Sequence, residues 1–167
     1  MRLRVVGVVV AVAGVAIVGV GLWQLVDSYD SPSGPSAVVR AVRPFRNLTE
    51  TRIGVGTQRL RVVIADDDSE RIQGLRRRRD IGSYDGMLFV YQADTTTGFT
   101  MSTVPVALDI GFYGADGSLV TRLRMVPCAG AESECPVYRA DDAFRYALET
   151  LAGRLPHGRL KVGSLAG

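Results

Sequence analysis

Asp109 and Glu149 are the two residues whose chemistry would matter most if this chain were an enzyme. Two carboxyl groups flanking one bond can serve as general acid and general base, as in hydrolysis of a cell-wall glycan. The simpler reading makes each acid half of a structural ion pair. Asp109 then pairs with Arg122 or Arg124, and Glu149 with Arg145 or Arg71. With Met101 these form a candidate polar site: Asp109, Glu149, Arg71, Arg122, Arg124 and Met101. Other chemistries lack their parts. There is one histidine, His157, and no Gly-x-Ser-x-Gly elbow for a serine nucleophile. No His/Cys/carboxylate cluster has the spacing of a metal site, and Gly54-Val55-Gly56 lacks the third glycine of a dinucleotide loop. No cofactor and no metal are expected. Cys128 and Cys135, the only cysteines, read as a disulfide if the domain lies in an oxidising compartment.

The elements that must position these residues are legible from pattern. Leu60 to Ala65 is β-branched at its centre and predicts a strand. Asp67-x-x-Glu70 resembles a capping box opening a short helix through Ile72 and Leu75. Gly86 to Tyr91 is apolar throughout, as in a strand covered on both faces. From Val104 to Phe112 apolar residues alternate, and Gly114 to Gly117 supplies a tight turn into Leu119 to Val126. Hairpin parity then sets Asp109 opposite Arg122 or Arg124, with small Ala107 and Gly111 leaving room beside the carboxylate. Asp141 reads as the cap of a second helix, with Phe144, Ala147, Leu148 and Leu151 on one face and Gly153 as its stop. Leu160 to Val162 predicts a last short strand. The expected fold is α+β: a β-rich, mostly antiparallel domain with two short helices, preceded by one N-terminal transmembrane helix.

That helix is the run from Val5 to Val26, 22 uncharged residues, long enough to cross about 30 Å of hydrocarbon. Arg2 and Arg4 precede it, and all 17 acids follow it. The asymmetry places the N-terminus in the cytoplasm and the rest outside. An uncleaved anchor fits better than a cleaved leader, because the run is long and its one Ala-x-Ala tripeptide, Ala11 to Ala13, lies in mid-run. Residues 27–52 read as a flexible linker and 53–167 as the extracytoplasmic domain. Once Arg2 and Arg4 are set aside, the net charge of +3 falls to +1. So nearly neutral a domain gives no support for a nucleic-acid partner. The run Arg76 to Arg79 reads as a solvated face, with acidic headgroups or an anionic wall polymer as the functional alternative.

One ordered set of residues carries a resemblance. Arg71-Ile72-Gln73-Gly74-Leu75, Gly86-Met87-Leu88-Phe89, Phe99-Thr100-Met101, Leu108-Asp109-Ile110, Gly117, Cys128, Cys135-Pro136-Val137-Tyr138, Leu148-Glu149, Gly153 and Gly163 together resemble the domain of unknown function 192 family. The likeness runs from about Leu60 to Gly163. It implies a compact, β-rich fold in an often exported prokaryotic family, and no catalytic residue. Thr100, Ser102-Thr103 and Ala107 depart from the family's usual residues. The sequence thus reads as a membrane-anchored binding or interaction module of the cell envelope, with a bilayer partner through Val5 to Val26 and an envelope ligand or protein as the other. The alternative is an envelope glycan hydrolase using Asp109 and Glu149.

Overall fold

A computed structural model describes residues 37–163. The expected transmembrane run, and residues 27–36 of the expected linker, lie outside them. Among the described residues no helix is long and apolar enough to cross a membrane. In chain order the elements are β1 (Val39–Arg40), β2 (Thr49–Val55), β3 (Gln58–Ala65), α1 (Asp68–Gln73), β4 (Gly86–Thr95), β5 (Phe99–Thr100), β6 (Leu108–Tyr113), β7 (Leu119–Met125), β8 (Val137–Tyr138), β9 (Phe144–Leu151) and β10 (Leu160–Lys161). A single 3-10 turn covers Glu132–Glu134. Strands already occupy residues 39–40 and 49–52, which composition had assigned to the linker.

The main sheet runs β1-β2-β3-β4-β9-β6-β7, with β10 added against β2. Pairing is antiparallel except between β3 and β4. That parallel pair needs a crossover, and α1 lies within it. Asp67 caps α1 by accepting from the Glu70 N–H, and Glu70 reaches back to the Asp67 N–H, so the capping box is present. The second helix is not. Its residues form β9, the strand between β4 and β6. A strand covered on both faces need not alternate, so its apolar residues can fall by chance at helical spacing. Phe144, Ala147, Leu148, Glu149 and Thr150 are all buried. Asp141 caps nothing helical. Its carboxylate accepts from the Thr121 hydroxyl of β7, and its N–H donates to the same oxygen. The strand expected from Val104 also starts later, at Leu108, and all six of its residues are buried between β9 and β7.

The sheet separates two cores. On one face Val63, Met87, Phe89, Ile110, Phe112 and Ala147 pack with Leu75, Phe99, Met101 and Val104 from the segments that roof it. On the other, Ile53, Val62, Leu88, Tyr113 and Leu148 pack with Leu155 and Leu160. Here β10 pairs with β2, while the Leu160 N–H donates to the Gly117 carbonyl in the β6–β7 turn. The strand thereby links the two ends of the sheet. Gly117 is required at that turn, because its φ is +80° and a Cβ there would run into the Leu160 carbonyl.

Candidate functional site

The β6–β7 hairpin takes the predicted parity. Asp109 lies opposite Arg124, and Leu108, Ile110 and Phe112 lie opposite Met125, Leu123 and Thr121. The Asp109 carboxylate, on a residue 3% exposed, accepts from Arg124 Nε and from the Gly153 N–H at 2.7 Å. Arg122 stands 3.8 Å away and donates to the Leu155 carbonyl at 2.8 Å. Burial alone would raise the Asp109 pKa. The hydrogen bonds from Arg124 and Gly153, and the charges of Arg124 and Arg122, outweigh it and hold the group below its ordinary 3.8. The room expected beside Asp109 holds protein: the turn after β9 brings Gly153 to its carboxylate, and the Ala152 N–H donates to the Ala107 carbonyl.

Glu149 is a different case. It is 5% exposed, and its side chain has no hydrogen-bond or ion-pair partner among the described residues. Both expected partners are engaged elsewhere: Arg145 with Asp94 at 2.9 Å, and Arg71 with Asp68 at 2.6 Å. Desolvation without a compensating charge or hydrogen bond pushes its pKa up to about 8. At neutral pH the group is therefore mostly the uncharged acid.

The two carboxyls do not form a pair. Across β6 and β9, Asp109 is opposite Thr150 while Ile110 is opposite Glu149. Residues directly opposite share a face and successive residues alternate, so Asp109 and Glu149 lie on opposite faces of the sheet. They cannot flank one glycosidic bond, and the paired-carboxylate hydrolase is excluded on that ground.

What Glu149 does face is a cleft of about 370 Å³. α1 and the residues after it supply Asp68, Arg71, Gly74, Leu75 and Arg76. β4 contributes Phe89 and Tyr91, and Phe99 and Thr100 of β5 with Val104 line the far side. Glu132, from the loop between the cysteines, completes the rim. Arg71 is fixed from several sides, donating to the Val90 carbonyl at 2.8 Å and lying over the Tyr91 ring at 5.0 Å. Arg76 meets Glu132 at 2.9 Å. The Tyr91 hydroxyl is raised to about 12, chiefly by burial, with Arg71 opposing and Glu149 adding to the shift. The Thr100 hydroxyl is buried without a hydrogen-bond partner.

Of the residues singled out from sequence, Arg71 and Glu149 meet at this cleft. Asp109, Arg122 and Arg124 form a cluster on the opposite face of the sheet. Met101 is fully buried in the core on the Glu149 side. Cys128 and Cys135 are bonded, with Cα atoms 5.9 Å apart. Tyr91, Asp68, Arg76, Thr100 and Glu132 were not picked out as site residues. Tyr91 had a usable signal, since two positions after Phe89 in a strand it shares that residue's face.

Fold and site together define a small, mostly antiparallel β domain with a roofed cleft beside an acid that has no partner among the described residues. Residues 50–165 match the domain of unknown function 192 family, described as Uncharacterized ACR, COG1430, and the chain belongs to that family. Several residues that carried the resemblance, Arg71 to Leu75, Phe89, Phe99, Thr100 and Glu149, line the cleft. The chain is similar to a protein of unknown function from Novosphingobium aromaticivorans DSM 12444, at 22% identity and a TM-score of 0.63. That match covers 79% of this chain and 99% of the other. It is also similar to a proposed transcription regulator from Sinorhizobium meliloti 1021, at 29% identity and a TM-score of 0.56, over 66% and 89% of the two chains. No curated protein matches the chain.

Proposed function

We propose that this protein is a membrane-anchored, extracytoplasmic binding module of the cell envelope, and that the cleft under α1 is its ligand site. The observation that carries the site is Glu149, a carboxyl buried in the sheet with no side-chain partner, at a cleft large enough for a small molecule. Burying such a group costs stability unless something satisfies it. Sites that bind small molecules combine apolar walls with a few convergent polar groups and a perturbed acid. Phe89, Phe99, Leu75 and Val104 are the walls, and Glu149, Thr100 and Tyr91 are the polar groups.

The anchor and compartment are supported by the uncharged run from Val5 to Val26, by the basic residues before it, and by the Cys128–Cys135 bond. Such bonds persist in oxidising surroundings. Fractionation of cells expressing the full chain tests this half. Recovery with the membranes, resistant to high salt and carbonate, is the expected outcome. A shortened species in the soluble fraction would overturn the anchor. The site half is tested by screening small molecules against the full chain in nonionic detergent, following amide resonances. Ligands are expected to shift Gly74, Gly98 and Thr100. Shifts confined to the Asp109–Gly153 cluster would move the site to the other face.

A further inference from the structure

We infer that the cleft beside Glu149 takes a small organic cation, an ammonium or guanidinium carried on an apolar group, with Glu149 as its counter-ion. The inference rests on the reading of this cleft as the ligand site and adds the class of ligand.

Charge bookkeeping around the rim is the first reason. Arg71 is neutralised by Asp68 at 2.6 Å, and Arg76 by Glu132 at 2.9 Å. These pairs come from α1, the residues after it and the loop between the cysteines. β4 presents Tyr91, whose raised pKa keeps it neutral, and β5 contributes the uncharged Thr100. The neighbour on β6, Ile110, carries no charge. Of all the groups that face the cleft, Glu149 alone can ionise without an opposite charge already assigned to it.

Burial is the second reason. A carboxylate this deep is unstable alone and becomes favourable when a cation enters beside it, because the same low dielectric that penalises one charge strengthens a pair. Thr100 lines the cleft, and its Oγ1, shielded from solvent and without a partner, is an acceptor that an N–H of the cation reaches only if the Thr100 side chain turns toward it. The walls suit the rest of such a ligand. Phe89, Tyr91 and Phe99 are aromatic, and the Tyr91 ring already holds a guanidinium, that of Arg71. An anionic ligand has no unpaired arginine to meet in the cleft. A neutral hydrogen-bond acceptor is the competing class, since the protonated acid could donate to it.

The two classes respond to pH with opposite signs. A cation needs the carboxylate, so its binding displaces the proton that Glu149 holds up to about pH 8. Its affinity should rise roughly tenfold per pH unit below that value and level off above it. A neutral acceptor needs the acid, so its affinity should be flat below about pH 8 and fall above it.

The experiment titrates the full chain in nonionic detergent with benzylamine and with benzyl alcohol, by calorimetry and amide resonances, at several pH values from 6 to 8.5. The expected result is binding of benzylamine at the cleft that strengthens with pH and releases close to one proton at pH 6 to 7 and progressively less toward pH 8.5, read as a dependence of the heat on buffer ionisation enthalpy. Glu149→Gln should weaken benzylamine at least tenfold at pH 8. Proton release is measured on the wild type, so the inference stays testable even if that variant folds poorly. Benzyl alcohol binding at the cleft with the acid-form profile, benzylamine being silent, would overturn the cation and leave the cleft standing. Silence from both would overturn the cleft reading together with the cation.

Discussion

Asp109 and Glu149 sit one step apart in register on neighbouring strands, and they live in opposite circumstances. Asp109 faces the core closed by β10, where two arginines and a backbone N–H converge on it. Glu149 faces the core roofed by α1, β5 and the disulfide loop, where no partner reaches it. One acid is held below its ordinary pKa and the other is raised to about 8. Both are nearly closed to solvent, 3% and 5% exposed. Depth and partners decide the difference together: Glu149 is enclosed by far more protein and has no partner to offset its desolvation, whereas at Asp109 the hydrogen bonds and arginine charges outweigh a milder one. A fully satisfied buried acid belongs to the framework. One without a protein partner, open only to a cleft, is left for whatever enters that cleft to satisfy.

The sharpest way to separate the two acids is pH, because their windows do not overlap. A carboxyl whose pKa is raised on folding holds its proton more tightly when folded. Its contribution is then fully present below the unfolded value and is lost as pH rises through the folded one. For Glu149 that window runs from its ordinary 4.5 up to about 8. With roughly 1.4 kcal/mol per pH unit per proton, wild-type stability should fall by up to about 4 kcal/mol between pH 5 and pH 8 on account of this group. Glu149→Gln should flatten the slope and equal or exceed wild type at pH 8, measured by urea unfolding at each pH. A slope unchanged by the substitution would mean that Glu149 is ionised in the folded state across this range, as it is in the unfolded chain.

The opposite expectation holds for Asp109. Asp109→Ala leaves Arg122, Arg124 and the Gly153 N–H without their shared acceptor. Removing one side of a buried pair costs about 3–5 kcal/mol, and the low end applies because the Arg124 side chain is 56% exposed and can turn to water. A loss near 3 kcal/mol at pH 7 is expected by urea unfolding. Since its folded pKa is lowered, the contribution is present above the ordinary 3.8 and disappears only as pH falls through the folded value. The variant should therefore run parallel to wild type through neutral pH and converge with it in acid. A loss under 1 kcal/mol would mean that the cluster is no firmer than a surface pair.

How these two faces arise was only partly visible in the chain. The Asp109 cluster was legible because hairpin parity is a local rule: once Gly114 to Gly117 turns, an arginine must stand across from Asp109. Its third partner was hidden, since Gly153 arrives from 44 residues away. Glu149 was placed on a helix because Phe144, Ala147, Leu148 and Leu151 repeat at helical spacing, and that error concealed its isolation. On a surface helix Arg145 could have reached it. In an interior strand, Arg145 turns to Asp94 and Glu149 turns inward. Local signals also drew the capping box of α1 and the β3 strand. The crossover that folds α1 over the sheet, and so makes the cleft, depends on the parallel pairing of β3 with β4, which no short window contains.

The disulfide bears on the Glu149 side alone, which makes it the gentler test of the contrast. Cys128 and Cys135 close a short loop that carries Glu132, the partner of Arg76 at the cleft rim. Cys128 also bridges to Ser102 and Val104, beside the β5 wall. Replacing both cysteines by serine should cost roughly 2–3 kcal/mol from loop closure. The more telling readout is where the loosening falls. Hydrogen exchange should quicken at Thr103, whose N–H donates to the Cys128 carbonyl, and at Arg77, whose N–H donates to the Thr103 carbonyl. Gly153, held by Asp109 on the far face, should keep its protection relative to the global unfolding limit. If Gly153 and Thr103 loosen together, the two faces open as one cooperative unit. The cleft could then not open for a ligand while the Asp109 side stays closed. If only the cleft side loosens, its roof can move over a fixed sheet and adjust around a ligand beside Glu149.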